Sequence, residues 1–145
     1  MENDNVDVLI LTETWCQGME EERLLSGHLL LTSGLTRATG QRGRGQQGVG
    51  FLLSKKAAKV YDEQGRQLCK ISGRLATLRL PAQRQGGKGT TNLYLIAAYA
   101  PTSGHSHDQR QRFLDDVTDL IRSKRKGEIL ICGGDFNAAM GGPND

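Results

Sequence analysis

Carboxylate, amide and phenol side chains stand at the ends of three strand-like segments of this sequence. Glu13 follows the apolar run VDVLILT, and Tyr99 closes the run NLYLIAAY. Asp135 and Asn137 follow EILICGG, where an extended backbone would direct both side chains to one face and towards one phosphate. Strand ends that converge can hold residues from distant parts of a chain in one site. Because Mg²⁺ prefers oxygen ligands and needs only one or two carboxylates, the pattern indicates metal-assisted phosphoryl transfer.

Each of these residues, taken singly, also has a structural explanation. A glutamate at a strand end is commonly a solvated surface residue. Asp and Asn after two glycines commonly form a turn, and a tyrosine before Ala-Pro fits a half-buried core position. The functional interpretation therefore depends on the order and spacing of the motifs, and not on any one residue.

The apolar segments predict a mixed α and β fold. Strands are predicted at residues 6–12, 28–32, 48–54, 75–80, 92–100 and 128–133. Pro81 and Pro101 are expected to end the strands before them, since proline cannot donate to a sheet ladder. The polar, glycine-containing stretches 36–47 and 82–91 predict a loop and a hairpin-type connection.

Two segments are predicted as helices. Residues 108–124 carry an apolar stripe, with a capping box at Ser106 and Gln109 and a C-terminal glycine at Gly127. The stripe comprises Phe113, Leu114, Val117, Leu120 and Ile121. The basic run RSKRK suits the last turn of this helix, where cations complement the dipole; a nucleic-acid patch is the alternative. The Glu-rich residues 19–25 predict one or two further helical turns.

Length and composition limit the class of protein. The 145 residues allow one domain, and 37% hydrophobic with 24% charged residues excludes a disordered tail and a membrane protein. No apolar run approaches the roughly 20 residues of a transmembrane helix, and the polar start predicts no signal peptide. Three widely spaced cysteines without a CxxC pair argue against a disulfide framework and favour an intracellular compartment.

Charge is distributed unevenly along the chain. Residues 1–35 hold seven acidic side chains and one basic side chain. Residues 36–90 hold two acidic and twelve basic side chains, and residues 91–145 hold seven acidic and six basic side chains. The regional net charges are therefore −6, +10 and −1, within a total of +3. A basic middle beside an acidic start fits a polyanion-binding surface near a metal-binding carboxylate. The alternative is the ordinary scatter of Lys and Arg over exposed faces.

Four motifs in this order, LTETW, GVGFLLS, AAYAPT and GGDFNA, resemble the endonuclease/exonuclease/phosphatase superfamily, which includes DNase I and the apurinic endonucleases. Within it, the sequence is most similar to the endonuclease domain of non-LTR retrotransposons and of cellular proteins derived from them. The resemblance extends from Val6 to Gly141. It implies a DNase I-like four-layer α/β/β/α sandwich and Mg²⁺-dependent hydrolysis of a phosphodiester, with Mn²⁺ as a possible substitute.

The resemblance also implies a role for each residue of the candidate site. Glu13 matches the metal-binding glutamate, and Tyr99 matches the tyrosine whose hydroxyl contacts the scissile phosphate. Asp135 matches the aspartate that orients or deprotonates the attacking water, which makes it the candidate base. Asn137 matches the asparagine that holds this water or the phosphate.

Further residues are predicted to bind the substrate. Arg74, in the motif ISGRLATLRL, stands where such endonucleases often have S-x-R before a strand, so it is either structural or close to the substrate. His105, in the loop after YAPT, is near enough to Tyr99 to contact DNA, although solvated histidines are the commoner case. Arg42 and Arg44 belong to the basic middle region and are expected to contact the phosphate backbone.

The sequence also departs from the family pattern. It shows neither the asparagine-bearing strand that precedes the glutamate strand nor the closing Asp-His motif. Residues 1–145 are therefore expected to form an incomplete domain with little or no nuclease activity. Unpaired sheet edges are expected to associate with the rest of a retroelement polyprotein or with another copy of the chain.

Several functions remain open at this point. DNA is the expected partner, without a membrane partner, and the expected location is intracellular, with the nucleus compatible. A phosphoinositide or sphingomyelin phosphodiesterase of the same superfamily is an enzyme alternative. A non-catalytic nucleic-acid-binding remnant that uses Arg37, Arg42 and Arg44 is another, and a gene-model fragment without function is the last.

Overall fold

The computed structural model describes residues 6–16, 18–34, 47–83 and 89–138. Within these ranges the chain forms eight strands and two helices. In chain order they are β1 (Val8–Thr12), β2 (Met19–Arg23), β3 (Leu29–Ser33), β4 (Val49–Leu53), α1 (Lys55–Glu63), β5 (Leu68–Lys70), β6 (Leu75–Gln83), β7 (Thr90–Tyr99), α2 (His107–Arg122) and β8 (Ile129–Asp135). Neither of these helices is long and apolar enough to cross a membrane.

The strands form two four-stranded sheets. The first sheet has the order β1-β4-β3-β2 and is antiparallel throughout. The second sheet has the order β5-β6-β7-β8 and is antiparallel except for the parallel pair β7–β8. α2 connects these two strands, since parallel neighbours need a long crossover. As a result, Tyr99 and Asp135 are neighbours at the carboxyl ends of β7 and β8.

Apolar side chains that alternate along the strands fill the space between the two sheets. The buried residues of this core are Leu29, Leu31, Val49, Phe51, Leu53, Ala57, Ala58, Tyr61, Ala76, Leu78, Leu80, Leu95 and Ala97. A second cluster joins the other face of the second sheet to Phe113 of α2. Two packed sheets and two helices confirm the predicted mixed α/β fold, with α1 joining the core between the sheets and α2 covering the outer face of the second sheet.

α2 begins close to its predicted start and ends earlier than predicted. The capping box is confirmed, because Ser106 accepts from the amide of Gln109 and the Gln109 side chain accepts from the amide of Ser106. The helix ends at Arg122 with Ser123 as its C-cap, so the prediction of Gly127 as the cap was wrong. Gly127, with φ of 85°, instead serves the turn before β8.

The apolar stripe of α2 faces the sheet only in part. Phe113 is buried, and Val117 and Leu120 pack against the same cluster. Leu114 and Ile121 lie on the solvent side and are 55% and 41% exposed. The predicted stripe is wider than the strip of helix that the sheet can cover.

The predicted helix at residues 19–25 is wrong, because this segment forms the edge strand β2. Glu21, in the middle of this strand, is held by tertiary contacts that a local pattern does not contain. Tyr61 donates its hydroxyl to Oε1 of Glu21 at 2.9 Å, and Arg66 donates to Oε2 at 3.2 Å. Pairing with β3 and these bonds to α1 and the residues after it outweigh the local preference of a Glu-rich turn for helix.

The sequence pattern predicts neither α1 nor β5. Yet Ser54 is an N-cap whose hydroxyl accepts from the amide of Ala57 at 3.1 Å. Ala57, Ala58 and Tyr61 form a short apolar face on α1. This signal spans only nine residues, and the three-residue strand β5 is shorter still.

Pro81 does not end β6, which continues to Gln83. The amide of Arg79 donates to the carbonyl of Gln67, on the β5 side of the strand. Residue 81 has the same orientation two positions further on. β5 pairs only with Ala76–Leu78. At Pro81 this side of β6 therefore has no strand partner among the described residues, and the missing N–H of proline costs no ladder hydrogen bond.

A buried ion pair fixes the turn that leads from α2 into β8. Nε of Arg79 donates to Oε1 of Glu128 at 2.9 Å, and the amide of Arg125 donates to Oε2 at 2.7 Å. The guanidinium of Arg79 also lies 3.9 Å from the ring centre of Tyr94. Burial alone would raise the pKa of Glu128. The hydrogen bonds from Arg125 and Arg79 and their positive charges outweigh this effect, so the pKa lies below its usual value.

We expect Glu128→Gln to lower the free energy of unfolding by about 2 kcal/mol at pH 7, since a charge-assisted bond is lost. Because the pKa of Glu128 is lowered in the folded state, its contribution to stability is complete at pH values above the unfolded-state pKa of about 4.3. This contribution is lost as the pH falls through the folded-state pKa. Urea unfolding followed by circular dichroism between pH 7 and pH 3 should therefore show the two proteins converging in acid. A constant difference across this range would contradict the assignment. Glu63→Gln, at an exposed residue of α1, is the control.

Candidate active site

Glu13 and Tyr99 meet between the two sheets. Glu13 is the first residue after β1, and Tyr99 is the last residue of β7. The Tyr99 hydroxyl donates to Oε1 of Glu13 at 2.8 Å, across 86 positions of sequence. This hydrogen bond, with a smaller effect of burial, raises the pKa of Tyr99. The phenol therefore keeps its proton at neutral pH and remains a hydrogen-bond donor.

Asp135 and Asn137 lie beside this pair. The amide of Asn137 donates to Oδ1 of Asp135 at 2.9 Å and fixes the carboxylate. The Asn137 side chain donates through Nδ2 to the carbonyl of Ala100 at 2.7 Å. With φ of 45°, Asn137 is left-handed, a conformation that asparagine tolerates better than most residues. The backbone is therefore not extended here, and the predicted common strand face for both side chains was wrong.

Arg74 holds the end of β7. Its Nη1 lies 3.3 Å from the carbonyl oxygens of both Tyr99 and Ala100. The amide of Tyr99 donates to the Arg74 carbonyl at 2.8 Å, and the guanidinium carbon lies 5.1 Å from the centre of the Tyr99 ring. The Ala100 carbonyl thus receives bonds from both Arg74 and Asn137. Burial lowers the pKa of Arg74, but an arginine so shifted is still charged at neutral pH.

His105 contacts Arg74 rather than the carboxylates. Its Nε2 lies 3.1 Å from Nη2 of Arg74, and its Nδ1 lies 3.0 Å from Oγ1 of Thr102. A guanidinium only donates, so Nε2 is the acceptor and Nδ1 carries the hydrogen. His107 is 83% exposed at the start of α2. Of the two loop histidines, only His105 joins the network around Tyr99.

The candidate site is therefore formed where the end of β1, the start of β6 and the ends of β7 and β8 meet. Its residues are Glu13, Arg74, Tyr99, Asp135 and Asn137. The sequence of residues 1–144 matches the model of the Endonuclease/Exonuclease/phosphatase family. The chain belongs to this family. The retroelement subgroup within it remains a prediction.

Two proteins to which this chain is similar are both named craniofacial development protein 2. The protein from Bos taurus is 28% identical over 141 residues, which cover 97% of this chain and 21% of the relative. The protein from Tragulus javanicus is 26% identical over 141 residues, which cover 97% and 22%. The chain thus spans about a fifth of the length of these relatives. No solved structure matches the chain significantly.

Members of this family generally use divalent metal ions. In the part of the chain that the structure describes, no group of three or more His, Cys, Asp or Glu residues is arranged to hold a metal. The chemistry of the donors nevertheless fits Mg²⁺, which binds through one or two carboxylates and retains its other waters. Glu13 and Asp135 are both exposed carboxylates at this end of the sandwich.

Two of the predicted substrate-binding residues cannot be placed. Arg42 and Arg44 lie outside the described residues, as does Arg37. Their contact with a phosphate backbone remains a prediction. Arg74 lies beside Tyr99, where it supports the backbone and also adds positive charge near the site.

Two glycines that the sequence motifs do not single out allow the site to form. A Cβ on Gly134 would collide with the carbonyl oxygen of Ala98, and its φ is 140°. A Cβ on Gly48 would collide with Oγ1 of Thr14, and its φ is 114°. The first glycine lets β8 approach β7 next to Asp135, and the second lets β4 approach the segment after Glu13. The glycines of the motifs GGD and GVG are the sequence feature that indicates these close backbone approaches, although each motif also fits an ordinary turn.

Proposed function

We propose that this chain carries a Mg²⁺-dependent phosphodiesterase site that hydrolyses DNA in the manner of a retroelement endonuclease. The observation that carries the proposal is the hydrogen bond between Glu13 and Tyr99, formed beside Asp135 where the two sheets meet. The net charge of +10 for residues 36–90 supports a polyanionic substrate. DNA as substrate makes the nucleus the proposed location.

Each side chain has a distinct task in this proposal. Glu13 would hold the metal, which would supply stabilisation of the negative charge that develops on the phosphate oxygens. Tyr99, kept protonated, has a single hydroxyl hydrogen, which would turn from Glu13 to a non-bridging oxygen of the phosphate once the Glu13 carboxylate is engaged by the metal. Asp135 accepts the proton of the attacking water, and the amide of Asn137 holds its carboxylate in place.

Among the described residues, none of the three histidines forms a hydrogen bond or ion pair with Glu13 or Asp135. His28 lies just before β3, at the opposite end of the first sheet from Glu13, and its Nδ1 contacts Ser26 at 2.8 Å. His105 is engaged by Arg74 and Thr102, and His107 is exposed. Salt-dependent DNA binding without cleavage is therefore the second candidate function, favoured by the same basic region.

Nicking of supercoiled plasmid with Mg²⁺ or Mn²⁺ tests the proposal. We expect nicking that EDTA stops and that Glu13→Gln reduces by about 100-fold, since both metal binding and the contact with Tyr99 change. Glu63→Gln, which removes an exposed carboxylate far from the site, should leave the rate unchanged. Equal rates for Glu13→Gln and the parent chain would contradict the proposal. DNA retention without any nicking would favour the second candidate.

A further inference from the structure

The side chain of Trp15 is exposed beside the candidate metal ligand. It is the single tryptophan of the chain, and it is 46% exposed although tryptophan is on average a largely buried residue. It lies two residues after Glu13, so their Cα atoms are at most about 7 Å apart. A large, flat apolar side chain with nearly half of its surface exposed is therefore attached within about 7 Å of the Cα atom of the candidate metal ligand.

The backbone of Trp15 is held in an unusual conformation. Glu13 and Trp15 both have positive φ, at 54° and 55°. For residues other than glycine this conformation is uncommon and persists where surrounding contacts enforce it. Here the amide of Trp15 donates to the Gln47 carbonyl at 3.0 Å, and the amide of Thr14 donates to the Gly48 carbonyl at 3.2 Å.

The same bonds connect Trp15 to the rest of the site. The amide of Gly48 donates to the carbonyl of Gly73 at 2.9 Å. Gly73 directly precedes Arg74, which binds the backbone at the end of β7. A continuous set of backbone hydrogen bonds therefore runs from Trp15 to the residue that positions Tyr99. The backbone that carries the indole is therefore held relative to Arg74 and the end of β7.

We propose that Trp15 stacks on a nucleobase next to the scissile phosphate, so that the site takes a nucleotide whose base is unpaired. This inference rests on the proposed function, because it assumes a phosphodiester at Glu13 and Tyr99. Every base offers a flat face, so stacking holds nucleic acid without reading its sequence. Within a duplex both faces of a base are already covered by its neighbours, and only an unstacked base can cover the indole ring.

The intrinsic fluorescence of the chain reports on this contact, because all indole emission comes from Trp15. The full 145-residue chain is titrated in EDTA with a twelve-residue oligothymidylate and with an abasic oligonucleotide of the same length and charge. We expect saturable quenching by the oligothymidylate and little quenching by the abasic strand. Equal quenching by both, or none by either, would overturn the proposal. Quenching by anionic lipid vesicles but by neither strand would overturn it as well.

Variants separate stacking from folding. The affinity for a fluorescein-labelled oligothymidylate is measured by anisotropy, and circular dichroism confirms that each variant is folded. We expect Trp15→Ala to weaken binding by about 5- to 100-fold and Trp15→Phe by less than about threefold, as loss of one stacked base predicts. Leu25→Ala removes another exposed apolar side chain, in the turn before β3, and should change nothing. Unchanged binding by Trp15→Ala would overturn the proposal.

The result can be distinguished from the fate of the proposed activity. Glu13-dependent nicking together with unquenched Trp15 would keep the phosphodiesterase and remove the stacking role. Base-dependent quenching without Glu13-dependent nicking would keep the stacking role and remove the phosphodiesterase.

Discussion

Gly134→Ala is expected to lower the free energy of unfolding by about 3 to 4 kcal/mol, a large part of the total for a single domain. Gly134 has φ of 140°, and an added Cβ would collide with the Ala98 carbonyl oxygen and crowd other Ala98 backbone atoms. Because the obstacle is the backbone of β7 and not the flexible end of a side chain, relief requires the two strands to separate. That movement would also displace Asp135, the next residue.

Other glycines of the chain provide a graded set of controls. Gly65 has φ of 81° with open space around the added Cβ, so Gly65→Ala measures the backbone conformation alone and should cost about 1 kcal/mol. Gly104 lies in an exposed turn, and the nearest atom to its added Cβ is 3.8 Å away, so Gly104→Ala should be nearly neutral. Urea unfolding followed by circular dichroism gives the three values. A cost for Gly134→Ala no larger than that for Gly65→Ala would show that β7 and β8 are not as closely packed as described.

Much of the sheet framework was predictable because its strands are apolar on their own. β1, β4 and β7 are uninterrupted runs whose burial does not depend on unusual contacts, and α2 has both an apolar stripe and a capping box. β2 was not predictable, because the contacts of Glu21 with Tyr61 and Arg66 come from segments 40 and 45 positions away. The prediction that Pro81 ends β6 failed for a related reason. A proline is tolerated in a strand beyond the point where its partner strand ends, and the sequence of β6 does not reveal how short β5 is.

The members of the candidate site were predictable, but not how they are arranged. The order of the motifs identified Glu13, Tyr99, Asp135 and Asn137, and the structure places them at one end of the sandwich. Their orientation depends on backbone conformations that residue types do not reveal, such as the positive φ of Glu13 and Asn137. The bonds from Arg74 to the end of β7 join segments 25 and 26 positions apart, beyond the reach of any local pattern.

Asp135→Asn is expected to reduce DNA nicking by about 1000-fold while leaving the fold intact. The substitution removes the negative charge and the proposed proton acceptor but keeps an oxygen that can accept from the amide of Asn137. The carbonyl of Asp135, which accepts from the amide of Ala100 at 2.8 Å, is unaffected. The expected loss follows from the proposed role of Asp135 as general base, because removal of a general base costs about 100- to 10,000-fold.

A comparison with Asn137→Ala separates the base from the residue that helps to hold the site together. Asn137→Ala keeps the amide that binds Asp135 but loses the bond to the Ala100 carbonyl and places alanine at a positive φ. It should therefore lower the melting temperature as well as the nicking rate, whereas Asp135→Asn should lower only the rate. Single-turnover nicking, thermal unfolding and DNA binding are measured for both, with Asp115→Asn on the exposed side of α2 as the matched control. If Asp135→Asn nicked DNA at the parental rate, the proton would have to go elsewhere, and the carboxylate of Glu13, 2.8 Å from the Tyr99 hydroxyl, would be the next group to test.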